Sequence, residues 1–295
     1  MGSKEITLTV CEVVDQDAIT SISKLEEKLD KVLKSTGSIS NRIAKLSSRS
    51  EDSDFISSYE VLSNGALFGT FIRMNPNFKA VVSASSLNET QMPIEDLLEK
   101  SSKDSAGAIK SSAFFYIQKG KMILSSSYGN RKPFETYINW LLREKADEPS
   151  SILINETLDI NRNLEIREIK SIELKESFLY DAMKEGMKND FSLRKYLTNK
   201  LFYEKTNFDE MAMEDIISAC LTIKINSKEL KERNSLQAVF RTIDSDYIII
   251  KTKDGKKIIG SNCIVKYKIP VELTQNGYYN ELEVKRFMEE KMESV

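Results

Sequence analysis

The sequence predicts an α+β protein of two domains, 1–148 and 149–295, each a mostly antiparallel sheet with helices packed on one face. Three observations carry this. Pairs of apolar runs meet across short Gly-containing breaks at Asn64-Gly65, Lys119-Gly120 and Asp254-Gly255, which is the signature of β-hairpins. Phe134, Tyr137, Ile138, Leu141 and Leu142 recur at helical spacing behind Lys132-Pro133, with proline in the first turn, where its missing N–H costs nothing. The stretch Ala146–Ser151 (ADEPSS) breaks the pattern midway and marks the expected domain boundary.

In the first half, Ile6, Leu8 and Val10 alternate with Thr7, Thr9 and Cys11 as a half-buried strand. Asp17 is placed to cap a helix from Ala18 to about Leu33, with Ile19, Ile22, Leu25, Leu29 and Leu33 inside and Gly37 as its stop. The Ser-rich segment Ser38–Asp54 reads as a short basic helix or a mobile connection. Phe55–Val61 and Leu67–Met74 form a hairpin around a two-residue Asn64-Gly65 turn, and Ala80–Ala84 a further strand. Pro93 opens a short helix, Ile94–Lys100. The aromatic run Ala113–Gln118, the Lys119-Gly120 break and Met122–Leu124 form the next hairpin, ahead of the Phe134 helix.

In the second half, Leu164–Leu174 is strand-like, and Ser177–Lys188 and Ser192–Glu204 are helical. Ala219–Ile225 alternates as a strand, followed by a helix burying Leu236, Val239, Phe240 and Ile243. Tyr247–Thr252 and Lys257–Gly260 pair around Asp254-Gly255. A strand over Cys263–Ile269 ends at Pro270, and Asn280–Met292 closes the chain as a helix with Val284, Phe287, Met288 and Met292 inside.

Composition excludes several chemistries. With 40% hydrophobic and 30% charged residues and no long uncharged apolar run, the chain reads as globular, without a membrane span. Nothing at the N-terminus resembles a signal peptide, so the expected location is cytoplasmic. There is no histidine, which removes Ser-His-Asp and Cys-His nucleophile systems and His-ligated zinc. Cys11, Cys220 and Cys263 are far apart on strand-like runs and read as buried free thiols. No Gly-rich phosphate loop occurs, and no cofactor or small-molecule substrate is expected. An enzyme would have to work with carboxylates, Lys, Tyr, Ser or a bound metal.

One such arrangement is present. Asp159, Glu168 and Lys170 match the Asp…Glu-x-Lys pattern of restriction-like nucleases, in which carboxylates hold a divalent cation and Lys positions water. Glu-x-Lys occurs six times in this highly charged chain, so solvated charges on the outer face of a strand explain it more simply. Asp244-x-Asp246 reads as a turn or cap. Basic clusters are the stronger signal. They are Arg42, Lys45 and Arg49; Lys119, Lys121, Arg131 and Lys132, with Tyr116 or Tyr128 near; Lys251, Lys253, Lys256 and Lys257; and Lys188, Arg194, Lys195 and Lys200. The net charge of −2 gives no global attraction to nucleic acid, so binding has to run through such clusters on turns and helix ends.

The order ALFGTFIRMNPNFK, short helix, small-residue break, AFFYIQKGKMILSSSYG and FETYINWLL resembles the N-terminal half of the RexA family of phage-exclusion proteins. CLTIKIN, SKELKERNSLQAVFRTI, the Lys-rich hairpin and the closing helix are similar in order to its C-terminal half, and the KwaB subunit of Kiwa defence looks like a distant relative. The resemblance implies a cytoplasmic, non-enzymatic, sequence-nonspecific binder of double-stranded DNA, a homodimer, acting in anti-phage defence with a RexB-like membrane protein. It carries no catalytic residue over. Two other readings stand beside it: a metal-dependent nuclease, and a phage-encoded protein that binds and inhibits a host protein.

Overall fold

A computed structural model of the chain describes residues 2–15, 24–46, 51–75, 82–99, 105–125, 131–146, 151–158, 169–174, 221–224, 248–275 and 277–295. It is α+β and mostly antiparallel. Two compact units are present: residues 1–157 with 265–295, and residues 158–264.

The first unit holds an eight-stranded sheet. Its strands are β1 (Ser3–Asp15), β2 (Ser53–Val61), β3 (Leu67–Asn75), the short β4 (Val82–Ser83), β5 (Ser105–Gln118), β6 (Lys121–Ser125), β7 (Ile152–Glu156) and, after the second unit, β12 (Lys266–Glu272). The main path is β12-β1-β6-β5-β3-β2; β4 pairs with β5, and β7 with the end of β1 that β12 leaves free. The helices are α1 (Leu25–Thr36), α2 (Ile94–Glu99), α3 (Arg131–Ala146) and α4 (Glu281–Glu293).

The turns follow their residues. Lys119 and Gly120 both have positive φ (49° and 76°), the two-residue mirror-image turn that matches strand twist. The Asn64-Gly65 turn was expected to be of that kind, and it is not. Only Gly65 is left-handed, Gly65 N–H bonds Leu62 O, and Leu62 N–H bonds Ala66 O. That is a three-residue loop closed by a glycine bulge; Asn64 is spent instead on side-chain bonds to Ala66 N and Tyr116 Oη.

Both faces of this sheet are covered, where helices on one face were expected. On one face α1 and α3 bury Leu25, Leu29, Leu33, Phe134, Tyr137, Ile138, Leu141 and Leu142 against Cys11, Ile56, Phe71, Phe115, Met122 and Ile154. Full burial of each large apolar side chain is worth about 1.5–3 kcal/mol. On the other face Val284, Met288 and Met292 of α4 pack on Ile6, Leu8, Phe114, Tyr116, Ile269 and Val271. β1 is the reason: even residues point to α4 and odd residues from Cys11 onward to α1 and α3, so the strand is apolar on both sides along part of its length.

The expected boundary at 148/149 shifts for the same reason. β7 follows the ADEPSS break but pairs with β1 through Val13↔Ile154. β12 pairs with it through Ile6↔Ile269. The long β1 therefore recruits segments from both halves of the chain, and the closing helix arrives with them. Pro270 lies inside β12 rather than ending it; it stands opposite Glu5 on the outermost strand of the path, where a missing N–H is tolerated.

Helix α3 also holds the two outer margins of the sheet. Its Tyr137 hydroxyl takes the Ile56 N–H of β2 at 3.3 Å, and its Glu135 takes the Ile154 N–H of β7 at 2.7 Å. Five strand spacings separate β2 from β7, about 24 Å if flat. One helix with side chains is only about 10–12 Å across. The sheet therefore curls around α1 and α3.

The second unit contains a four-stranded antiparallel sheet in the order β11 (Lys257–Ile259), β10 (Ile248–Thr252), β8 (Ile169–Leu174) and β9 (Leu221–Lys224). Ile172, Ile248 and Ile250 are buried on one face, and Lys251, Glu173 and Lys257 stand on the other. The helices expected over 177–188, 192–204 and 226–243 lie outside the described residues, as does Cys220. Cys11 and Cys263 are buried, and burial pushes the Cys11 thiol above its ordinary range.

Candidate nucleic-acid interface

The first basic cluster dissolves on inspection. Among the described residues of 38–54 there is a four-residue 3-10 turn, Ile39–Arg42, and a backbone bridge from Ala44 to Asp54, in place of a basic helix. Arg42 is fully buried. Its guanidinium donates to the carbonyls of Ile56 (2.7 Å), Ser57 (3.4 Å) and Thr90 (2.8 Å) and lies 5.6 Å from the centre of the Tyr59 ring. Nη1 is buried with no hydrogen-bond partner among the described residues. β2 has a register shift between Ile56 and Ser58, and a bulge there turns strand carbonyls outward. Arg42 collects them, so it is a core residue and not a phosphate contact. Lys45 is exposed and paired with Glu51; Arg49 lies outside the described residues.

The second cluster is largely absorbed into the first unit's framework. Arg131 donates to Ile154 O at 2.8 Å, and Lys132 pairs with Glu135 at 3.1 Å. Lys121 Nζ donates to Val295 O at 2.6 Å. Lys119 is exposed at the hairpin tip, its backbone N–H held by Glu26 at 2.9 Å. Tyr116, near this cluster in sequence, is buried with its hydroxyl bonded to Asn64. Tyr128 lies outside the described residues.

The third cluster stays at the surface. Lys251, Lys253, Lys256 and Lys257 occur within seven residues with one acid, Asp254, a net charge of +3 over Lys251–Lys257. Lys251 and Lys257 stand directly opposite each other across β10 and β11. Like charges in that position repel. Glu173, on the neighbouring strand, pairs with Lys251. Lys253, Lys256 and Lys257 are exposed, the first two on the turn itself.

That turn is rigid. Gly255 N–H bonds Thr252 O at 3.1 Å, and Thr252 N–H bonds Lys256 O at 3.0 Å. Gly255 supplies the left-handed residue at φ 88°. The buried Thr252 hydroxyl bonds Asp254, and Asp254 also pairs with Lys256 at 3.0 Å. The Thr252 hydrogen bond and then Lys256 hold the Asp254 carboxyl down at about 2.

For the nuclease reading, Asp159 and Glu168 lie outside the described residues, and Lys170 is exposed on β8. Among the described residues no three His, Cys, Asp or Glu side chains gather as metal ligands, and no helix is long and apolar enough to cross a membrane. Lys188, Arg194, Lys195 and Lys200 also lie outside the described residues. No protein-family model matches this chain, and no curated protein matches it.

Proposed function

We propose that this protein binds the phosphate backbone of double-stranded DNA without reading sequence, and that the β10–β11 hairpin is its principal contact. The observation that supports it is the concentration of four lysines on one ordered hairpin, two of them directly opposed. Lysine ammonium groups neutralise phosphates as point charges, whereas Arg, Asn and Gln make the planar bidentate contacts that discriminate base edges best. Residues 248–259 (IIIKTKDGKKII) contain none of these three, and no aromatic side chain on which a single-stranded base would stack.

The biological setting that fits, phage exclusion by a non-enzymatic homodimer with a membrane partner, rests on the RexA-like order of elements alone. The molecular reading is tested first. Fluorescence anisotropy with a labelled duplex is measured across a salt series for the native chain and for a variant carrying Lys253→Gln, Lys256→Gln and Lys257→Gln. Binding that weakens steeply with salt, and a shallower salt slope in the variant, support the reading. An unchanged slope removes the hairpin as the contact, and absence of duplex binding at low salt removes the reading. The phage-exclusion role is tested by plaque counts on cells with and without the gene.

A further inference from the structure

We propose that Asp254 is an internal counter-ion that sets the hairpin's affinity for polyanions, an inference that rests on the duplex-binding reading above. Its carboxylate lies 3.0 Å from Lys256 Nζ, where a ligand phosphate oxygen would otherwise sit. Carboxylate and phosphate oxygens are interchangeable as charge-assisted acceptors for an ammonium group. The position is built rather than accidental. The buried Thr252 hydroxyl fixes Asp254 from beneath, and the two backbone bonds across the turn fix Thr252 relative to Lys256. Glu173 does the same for Lys251 one strand away. Lys256 and Lys251 thus each carry a carboxylate.

This arrangement selects by charge density. A ligand with one phosphate only exchanges one anion for another at Lys256 and gains little. A duplex presents a row of phosphates, about one charge per 1.7 Å of axis, and engages Lys253 and Lys257 together while releasing its condensed counter-ions. Asp254 therefore raises the threshold for binding without abolishing it, and duplex DNA passes where inorganic phosphate does not.

The test is a gain of affinity, which a damaged fold does not mimic. Asp254→Asn keeps a residue suited to this turn before Gly255 and removes the charge; Asp254→Gly removes it by a second route. Duplex affinity is measured by anisotropy at fixed ionic strength for the native chain, both variants, Lys256→Gln, and Asp254→Asn combined with Lys256→Gln. Both Asp254 variants are expected to bind about two- to fivefold more tightly, the range for a solvent-exposed ion pair. Lys256→Gln is expected to weaken binding more in the Asp254→Asn background than in the native one. Inorganic phosphate at matched ionic strength is expected not to displace the duplex from the native chain. Equal or weaker binding by both Asp254 variants, with native thermal stability, overturns the counter-ion role. Displacement by phosphate overturns the charge-density selection. Binding by neither the native chain nor the variants overturns the proposed function itself.

Discussion

Asn139 and Ile152 exchange two hydrogen bonds. The Asn139 amide donates to Ile152 O at 2.8 Å and accepts from Ile152 N–H at 2.7 Å. One helical turn earlier, Glu135 accepts from Ile154 N–H at 2.7 Å, and one turn before that Arg131 donates to Ile154 O at 2.8 Å. The helical i, i+4, i+8 row of α3 thus serves as a missing neighbour strand for β7. The repeats match: about 6.0 Å for four helical residues and about 6.8 Å for two strand residues. An exposed strand edge is a liability, and this one is covered by side chains.

Asn139→Ala strands both Ile152 backbone groups. Urea denaturation is expected to show a loss of about 2–3 kcal/mol, the cost of leaving a buried donor and acceptor unpaired. Asn139→Asp keeps the acceptor and sets a carboxylate against the Ile152 carbonyl, so it is expected to cost at least as much. A loss under about 0.5 kcal/mol for both variants would show that α3 does not hold the β7 edge.

Arg42 separates stability from binding. Arg42→Met keeps much of the volume but removes the donors to the Ile56, Ser57 and Thr90 carbonyls. A loss of about 2–4 kcal/mol in stability is expected, with the salt slope of duplex binding unchanged for the folded fraction. A variant of native stability with a shallower slope would make Arg42 a phosphate contact after all.

Gly69 faces Phe115 across β3 and β5. A Cβ built there would lie 2.5 Å from Phe115 Cζ and 2.8 Å from the Ser58 carbonyl oxygen. The ring packs where a side chain would be, as aromatic residues do over strand glycines. Gly69→Ala is expected to lower stability by about 1–3 kcal/mol through overpacking, and Phe115→Leu in the same chain to recover part of it. No recovery in the double variant would mean that the ring is not the obstacle.

Glu281 gives the fold a pH dependence of known sign. At the start of α4 it accepts from Ile94 N–H (2.9 Å), the Thr70 hydroxyl (3.3 Å) and the Ser58 hydroxyl (3.4 Å). Burial raises its pKa, those three donors oppose the rise, and Asp96 adds to it. A carboxyl raised on folding contributes stability that is fully present below its unfolded pKa and is lost as pH rises through the folded value. Glu281→Gln, which keeps an acceptor for Ile94, is expected to flatten the stability profile above the ordinary glutamate range relative to the native chain. Parallel profiles would assign the pH dependence elsewhere.

Local pattern made much of the fold legible. Alternation in β1, the Phe134–Leu142 spacing of α3 and the glycine turns all name their elements, because each depends on residues within a few positions. What the sequence hid was long-range. Nothing near Ile269 or Ile154 says that both will pair with β1, and the domain boundary moved for that reason. The basic residues were hard to read for a related reason. Arg42 and Lys253 look alike in sequence, but a bulge in β2 makes the first a core donor, while a turn leaves the second in solvent. Local charge density does not distinguish them, at +3 over Lys251–Lys257 and +3 over Arg42–Arg49; the Asp254-Gly255 turn signal beside Lys253 does.

The salt dependence of duplex binding tests the central claim most directly. For the native chain, the logarithm of the binding constant is expected to fall linearly with the logarithm of salt, with a slope of about −3 to −4 if three to four phosphates are neutralised. Replacing Lys253, Lys256 and Lys257 by Gln is expected to bring that slope to about −1. A native chain whose duplex binding is insensitive to salt, or absent in dilute buffer, contradicts the account.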